Sequence, residues 1–261
     1  MEENNNIRLI DEALKQEPIK NTFRLAWEFI SVNRTFTLTA LSILLLLNLL
    51  NPILGLLAMV LSGIFSMAIQ IYVARLYYKS QDIQSYIAEI EKHKLENVIK
   101  ENALTASGAY TAWMALILGL VLILTLLAAN MGVSMDNVND EIALFQLIIT
   151  LGFPLLVILL LFSYVQPLVQ ANVAFATDYK EGFFAVLTIF SKEVWKQAFQ
   201  NSYFKYISIV GVIIMFLGLL VGVLISIPFI SLIAPFIIVV LMYIYMVIMA
   251  VASMMAKRLV E

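Results

Sequence analysis

Three amides and a proline interrupt an otherwise apolar stretch, SYVQPLVQANVAF, at residues 163–175. Gln166 and Gln170 are four residues apart and share one face of a helix, whereas Asn172 is turned away from that face. Within a membrane such amides can bond a polar solute, or they can bond the carbonyls that Pro167 leaves without a donor. The stretch therefore predicts either a kinked helix or a small hydrated vestibule that opens to the cytoplasm.

A second polar stripe consists of Ala58, Ser62, Ser66 and Gln70, which follow one another at intervals of four residues. This spacing keeps the four side chains within about 120° of one helix face. Such a stripe can line a cavity. Serine hydroxyls also bond the backbone of their own helix, so close packing is the alternative interpretation. We count Gln70 with the amides of residues 163–175 as a candidate vestibule residue.

The groups that carry out most catalysis are missing from the apolar part of the chain. There is no Cys, and the single His, His93, lies in the charged run EKHK. The sequence thus lacks the ligands of a typical zinc site and the base of a serine protease. Apart from Lys205, no Asp, Glu, Lys, Arg or His falls within the spans predicted below, where proton-coupled transporters usually need them. We expect no catalytic residue, no metal and no cofactor.

The composition is that of a membrane protein, because 62% of the 261 residues are hydrophobic and only 13% are charged. A helix needs about 20 apolar residues to cross a bilayer. Six segments reach or approach this length, and the chain is predicted to be one all-α membrane domain with spans at 35–50, 52–74, 103–130, 142–177, 203–227 and 229–256. The connections 48–55 and 226–235 are uncharged, so the sequence leaves open whether the first and third hairpins cross fully.

The basic residues indicate the orientation of these spans. All 16 Lys and Arg lie before the first span, after the second, between the fourth and the first turn of the fifth, or in the tail. The connection between the third and fourth spans has only the acidic Asp136, Asp140 and Glu141. By the positive-inside rule both chain ends face the cytoplasm. The polar segment 1–17 has no basic region ahead of an apolar core, so we expect no cleaved signal peptide.

Three stretches beside the spans, 18–33, 80–102 and 179–201, are predicted to form helices on the cytoplasmic side. The first and the last are amphipathic, and they carry Trp27 and Trp195, which are typical anchors at a membrane interface. The middle stretch is dense in charge. We expect it to protrude into the cytoplasm.

Small residues form two stripes at helical spacing, and such stripes let helices approach closely in lipid. The stripe on the third span is Gly108, Ala112, Ala115 and Gly119. The stripe on the fifth span is Gly211, Gly218 and Gly222. Both are predicted packing faces, either within the chain or between copies in a homo-oligomer.

The region around the fourth span resembles a group of six-span bacterial inner-membrane proteins. This group is related to the membrane region of some glycerophosphoryl diester phosphodiesterases and includes families of unknown function. The resemblance rests on an aromatic and proline element, a polar turn and a Ser-Lys pair at the start of a helix, here Phe162, Tyr164, Pro167, Asp178 to Gly182, Ser191 and Lys192. It implies a bacterial cytoplasmic membrane location. The catalytic phosphodiesterase domain is absent, so that activity is not implied.

Two functional classes remain after these observations. The first is a non-catalytic protein that organises the envelope through a protein partner at its cytoplasmic face, in contact with the lipid bilayer and with no nucleic acid. The second is a transporter or flippase-like carrier of a neutral or amphipathic solute. Solid packing between the second and fourth spans would favour the first, and a polar cavity there would favour the second.

Overall fold

The computed structural model describes residues 8–130, 152–227 and 233–261, and every regular element in these ranges is helical. Six helices are long and apolar enough to cross a membrane, which confirms the all-α class and the six apolar helices. The α-helices are α1 (Leu9–Gln16), α2 (Pro18–Val32), α3 (Arg34–Leu54), α4 (Leu56–Lys79), α5 (Ile83–Lys92), α6 (Leu95–Asn130), α7 (Phe153–Phe175), α8 (Tyr179–Leu187), α9 (Lys192–Ala198), α10 (Asn201–Ile225) and α11 (Ala234–Val260). The candidate spans are α3, α4, α6, α7, α10 and α11.

The first span is longer in the structure than in the sequence prediction. α3 has 21 residues and continues to Leu54, so it approaches the length that a full crossing needs. Gly55 separates α3 from α4 at a φ of 51°, a conformation that a residue without a Cβ adopts at low cost. The two helices therefore form a tight hairpin.

Some of the predicted features fall outside the described residues. They are residues 142–151 of the fourth span, the acidic connection with Asp136, Asp140 and Glu141, and residues 228–232 of the last connection.

The short helices α1, α2, α5, α8 and α9 gather at one end of the bundle, here called the basic end. Local capping explains where some of the helices at this end begin. Asn33 caps α3, because its Oδ1 accepts a hydrogen bond from the Phe36 N–H at 2.9 Å, and its Nδ2 donates to the carbonyl of Ile90 at 2.7 Å. Asp82 caps α5 by accepting from the Ser85 N–H at 2.7 Å, and this bond lowers the pKa of the Asp82 carboxyl.

From residue 8 onward the polar segment 1–17 is a packed helix rather than a free tail. Leu9, Ile10 and Ala13 of α1 are buried. The carboxylate of Asp11 accepts from Arg258 Nε at 2.7 Å, which joins α1 to the last turn of α11. The described N-terminal and C-terminal helices thus meet at the basic end.

The charged stretch 80–102 does not protrude as the sequence suggested. Tyr86 and Ile90 of α5 and Val98 of α6 are buried, and the Tyr86 hydroxyl is hydrogen-bonded to that of Tyr77. Burial raises the pKa of Tyr86 well above its usual value. The expectation was wrong because apolar side chains among the charged ones are buried, and α5 packs on α2 and α4.

The core lies towards the basic end, and the opposite halves of α6, α7 and the described part of α10 have no buried side chain among the described residues. Among the described residues, no side chain after Ala112 on α6 or after Val210 on α10 is buried. On α7 the first buried side chain is that of Val165. The remaining turns of these three helices expose large apolar side chains. In a membrane such surfaces face lipid or another apolar molecule.

The stripe of small residues on the third span is packed over half of its length. A Cβ added at Gly108 would overlap the carbonyl oxygen of Tyr179 on α8, and Ala112 is buried. Ala115 is exposed, and a Cβ at Gly119 would meet no described atom within 4 Å. The half of the stripe that contains Gly108 and Ala112 therefore brings the backbones of α6 and α8 into contact.

The glycine stripe on the fifth span has no such neighbour. A Cβ at Gly211, Gly218 or Gly222 would meet no described atom within 4 Å, and all three residues are exposed. Packing of this face within the chain is therefore absent from the described residues. Packing between copies remains a prediction.

Candidate functional site: two cavities beside Gln70

Two of the candidate vestibule residues, Gln70 and Gln166, line the same cavity. This cavity has a volume of about 320 Å³ and lies between α4, α6 and α7. Its polar side chains are Gln70, Ser163 and Gln166, and its apolar wall includes Met67, Trp113 and Phe162. We call it the amide cavity.

A smaller cavity of about 170 Å³ lies on the other side of Gln70, between α3, α4 and α11. Ser62, Ser66 and Gln70 line it together with Asn48. The polar stripe on the second span thus borders a cavity over most of its length, while Ala58 at its far end is buried. Gln70 is the residue that the two cavities share.

Gln170, one turn after Gln166 towards the basic end, does not line the amide cavity. It is only 3% exposed, and its Nε2 donates to Met67 Sδ at 3.4 Å, which joins α7 to α4. Pro167, one turn earlier, is buried inside α7. The described hydrogen bonds do not include one from an amide of this region to a carbonyl next to Pro167, which the kinked-helix interpretation expected.

Asn172 does not belong to the amide cavity. Its Nδ2 donates to Thr188 Oγ1 at 3.1 Å, and its Oδ1 accepts from Lys257 Nζ at 3.3 Å. These bonds connect α7 with the 3-10 turn Thr188–Phe190 and with α11. Asn172 therefore stabilises contacts between helices at the basic end.

Arg75 is a central residue that the sequence placed only at the edge of the second span. Its Nε donates to the Ala174 carbonyl at 2.8 Å, its Nη1 donates to Asn102 Oδ1 at 2.7 Å, and its Nη2 donates to the Ala176 carbonyl. The carbonyls terminate α7, and a helix C-terminus carries about −0.5 charge. Arg75 thus binds α4 to the ends of α6 and α7. The sequence signal that could have identified this residue is an Arg in the last turns of an apolar helix.

The two tryptophans predicted as interfacial anchors differ in their surroundings. Trp27 on α2 is 62% exposed, as an anchor in the headgroup region would be. Trp195 on α9 is partly buried, and its Nε1 donates to the Ile189 carbonyl at 2.7 Å. Trp195 therefore also stabilises the fold of residues 179–201.

Comparison with protein-family models, with curated proteins and with solved structures found no match for this chain. The resemblance to the six-span inner-membrane group thus rests on the motif residues alone and stays a prediction. The function has to be argued from the cavities themselves.

The amide cavity offers hydrogen bonds without charge. The amides of Gln70 and Gln166 can each donate and accept, and Ser163 adds a hydroxyl. Neither amide makes a side-chain hydrogen bond to another described residue, although both are half-buried. Burying such groups without a partner costs free energy. The arrangement is therefore suited to a neutral polar group that is attached to an apolar body.

Proposed function

We propose that this protein binds and carries a neutral, amphipathic solute within the membrane. The observation that supports this most is that Gln70 and Gln166 both line a cavity of about 320 Å³ between the second, third and fourth spans. Ligand sites typically have volumes of about 300–1,000 Å³ and a few convergent polar groups in an apolar wall. Solid packing at this place would have favoured a purely structural role.

The chemistry of the wall selects the class of solute. The residues that line the two cavities include no Asp, Glu, Lys or Arg. A charged group would lack a counter-ion there, and an isolated charge is costly at membrane depth. Carbonyl, hydroxyl or amide groups can bond Gln70 and Gln166 at a lower cost. The solute is therefore neutral at the end that these amides bind.

The exposed halves of α6 and α7 provide room for the apolar part of the solute. Ile117, Leu120 and Leu159 extend the amide cavity away from the basic end, towards helix faces that are exposed. Contact with hydrocarbon is favourable on such faces. An acyl chain or a similar apolar body fits this side of the site.

The proposed setting is a bacterial cytoplasmic membrane, with the basic end towards the cytoplasm. The positive-inside rule supports the orientation, and the motif resemblance supports the membrane. In this orientation the amide cavity lies on the outer side of the packed core. The solute would then be taken from, or released to, the outer half of the bilayer.

The double variant Gln70→Leu with Gln166→Leu tests the proposed function. Leucine keeps an apolar side chain at each position and removes the hydrogen-bonding amide. We expect a bound solute to be lost and thermal stability to be unchanged or raised, because the unpartnered amides no longer sit beside lipid. Native mass spectrometry of protein extracted from its own membrane measures the solute, and thermal unfolding in detergent measures stability.

Gln84→Leu is the matched control, because Gln84 is an exposed glutamine on α5 that lines neither cavity. This variant should retain the solute. Three results would contradict the proposal: no small molecule on the wild-type protein, equal retention by the double variant, or a clear loss of stability in the double variant. The last result would assign the amides to helix packing.

A second function, envelope organisation through a protein partner, is supported by exposed aromatic side chains at the basic end. Phe190 is 64% exposed and Phe199 is 75% exposed, beside the exposed Lys192. A photo-crosslinking amino acid at position 199 distinguishes a partner from lipid. A single recurrent protein adduct would support this function, and lipid adducts alone would contradict it.

A further inference from the structure

A third cavity lies at the basic end, and the proposed carrier function does not use it. It has a volume of about 430 Å³ and lies between α4, α5 and α6. It shares no lining residue with the amide cavity. We call it the charged cavity.

Opposite charges line the charged cavity without forming ion pairs with each other. Arg75 and Lys79 lie on α4, while Glu89 lies on α5 and Glu101 on α6. Among the described residues, neither cation has a carboxylate oxygen within 4.0 Å, and the nearest partner of Glu89 is His93 Nδ1 at 3.8 Å. Lys79, Glu89 and Glu101 are exposed, so water can solvate their charges while no ligand is bound. Here the cations form one wall and the carboxylates form the others.

The remaining polar groups of the wall are either occupied or without a partner. Asn102 uses both ends of its amide, since Oδ1 accepts from Arg75 and Nδ2 donates to the Val98 carbonyl at 2.7 Å. Tyr72 forms part of the wall and is only 6% exposed. Its hydroxyl has no hydrogen-bond partner in the described structure. Most buried hydroxyls have a hydrogen-bond partner, and a bound water or ion is one explanation for a hydroxyl without one.

The bonds of Arg75 do not neutralise its charge. The acceptors that it contacts are two carbonyls and an amide, and the helix end that they belong to supplies only about −0.5 charge. Two of its five N–H groups are not used by these bonds. Lys79 is one helical turn further on, on the same face of α4, and is exposed. The α4 wall can therefore hold an acidic group.

The carboxylates on the other walls would repel a ligand that carried only negative charge. Glu89 and Glu101 together balance the formal charge of Arg75 and Lys79. A ligand with only a positive charge would be repelled by Arg75 and Lys79 on α4. A molecule with both charges, held apart by a short linker, satisfies all of these walls at once.

We propose that the charged cavity binds a small zwitterion, with its acidic group against Arg75 and Lys79 and its ammonium group against Glu89 and Glu101. Two sources have this chemistry. One is a free molecule such as an amino acid or phosphoethanolamine, and the other is the headgroup of a phosphatidylethanolamine lipid.

Calorimetric titration of the detergent-purified full chain tests the proposal with soluble probes. Glycine and O-phosphoethanolamine carry both charges, while ethanolamine and inorganic phosphate carry one each. We expect at least one zwitterion to bind about tenfold more tightly than either half-ligand. A parallel measurement compares the thermal unfolding temperature in nanodiscs of phosphatidylethanolamine and of phosphatidylglycerol, whose headgroup has the phosphate but no ammonium. A higher temperature in the former, without binding of soluble zwitterions, would identify the lipid headgroup as the source.

Lys79→Gln and Glu101→Gln test the assigned walls, because both residues are exposed and the substitutions leave the core unchanged. Each should weaken binding of the zwitterion, or reduce the nanodisc difference, by about tenfold or to below detection. Lys192→Gln and Glu193→Gln are the matched controls, since they remove the same charges from α9, outside the cavity. The proposal is overturned if neither source binds, or if the wall variants behave like the controls.

Discussion

Arg75 shows how one side chain can connect three helices at the end of a membrane bundle. Its planar guanidinium reaches an amide on α6 and two carbonyls at the end of α7. The bonds satisfy carbonyls that a helix C-terminus leaves without donors. The same side chain forms part of the wall of the charged cavity. Arg75 therefore links the packing of the core to the site proposed there.

The first prediction concerns this residue. Arg75→Met should lower the free energy of unfolding by about 3 kcal/mol, because it leaves three buried acceptors without their charged donor. Arg75→Lys should recover only part of this loss, since an ammonium cannot reach three acceptors as a planar fork does. Denaturant unfolding in detergent measures both variants.

Lys79→Met is the control for Arg75, because Lys79 lies one turn later on the same helix and is exposed. Its effect should stay within about 0.5 kcal/mol. If Arg75→Met were no more destabilising than Lys79→Met, the connecting role would be wrong.

At the scale of the helices, the crossing of α6 and α8 depends on glycine. Gly108 on α6 faces the Tyr179 carbonyl, and Gly182 on α8 faces the Thr105 carbonyl, so each helix leaves room for the backbone of the other. A close approach of this kind increases van der Waals contact, which drives helix association in lipid. The sequence stripe on the third span predicted the first glycine and not the second.

The second prediction follows from this crossing. Gly108→Ala should destabilise the protein by about 1–3 kcal/mol, because the added methyl overlaps backbone atoms that cannot rotate away. Gly182→Ala should have an effect of the same sign. Thermal or denaturant unfolding of the purified variants measures the change.

Gly119→Ala is the control on the same helix, where the added methyl would meet no described atom within 4 Å. Alanine should be neutral there or stabilise by up to about 1 kcal/mol, because it is the better helix former. Equal effects at positions 108 and 119 would show that the crossing is not the cause.

At the scale of the whole molecule, packing is concentrated at the basic end. α1, α2 and α5 cover that end, and the ion pair between Asp11 and Arg258 joins the described chain ends. The opposite halves of α6, α7 and α10 are exposed. Because of this asymmetry, the amide cavity lies at the edge of the packed core and has an apolar side away from the basic end.

The third prediction is the orientation of the whole molecule. Because the chain has no Cys, single cysteines can be introduced at Lys94 and at Asn137 and labelled in intact cells. We expect an impermeant thiol reagent to label position 137 and not position 94, since the positive-inside rule places the basic end in the cytoplasm. Permeabilised cells should label both positions. The reverse pattern in intact cells would contradict the proposed orientation.

The sequence alone determined that this chain is an all-helical membrane protein with six apolar helices. Hydropathy and segment length are local quantities, and a backbone in lipid must satisfy its own hydrogen bonds within each helix. The caps at Asn33 and Asp82 are equally local. Such features depend on residues within a few positions of one another, so a sequence pattern is enough to predict them.

The tertiary structure alone decided which helix faces meet. The helical period shows that Gly108 and Gly218 each belong to a small-residue face, but only the first of these faces contacts another described helix. The period likewise could not show that Gln70 and Gln166 line one cavity while Asn172 bonds Thr188 and Lys257. These outcomes depend on the crossing of segments far apart in the chain. Side-chain shape and backbone approach set that crossing, and a single sequence does not display either.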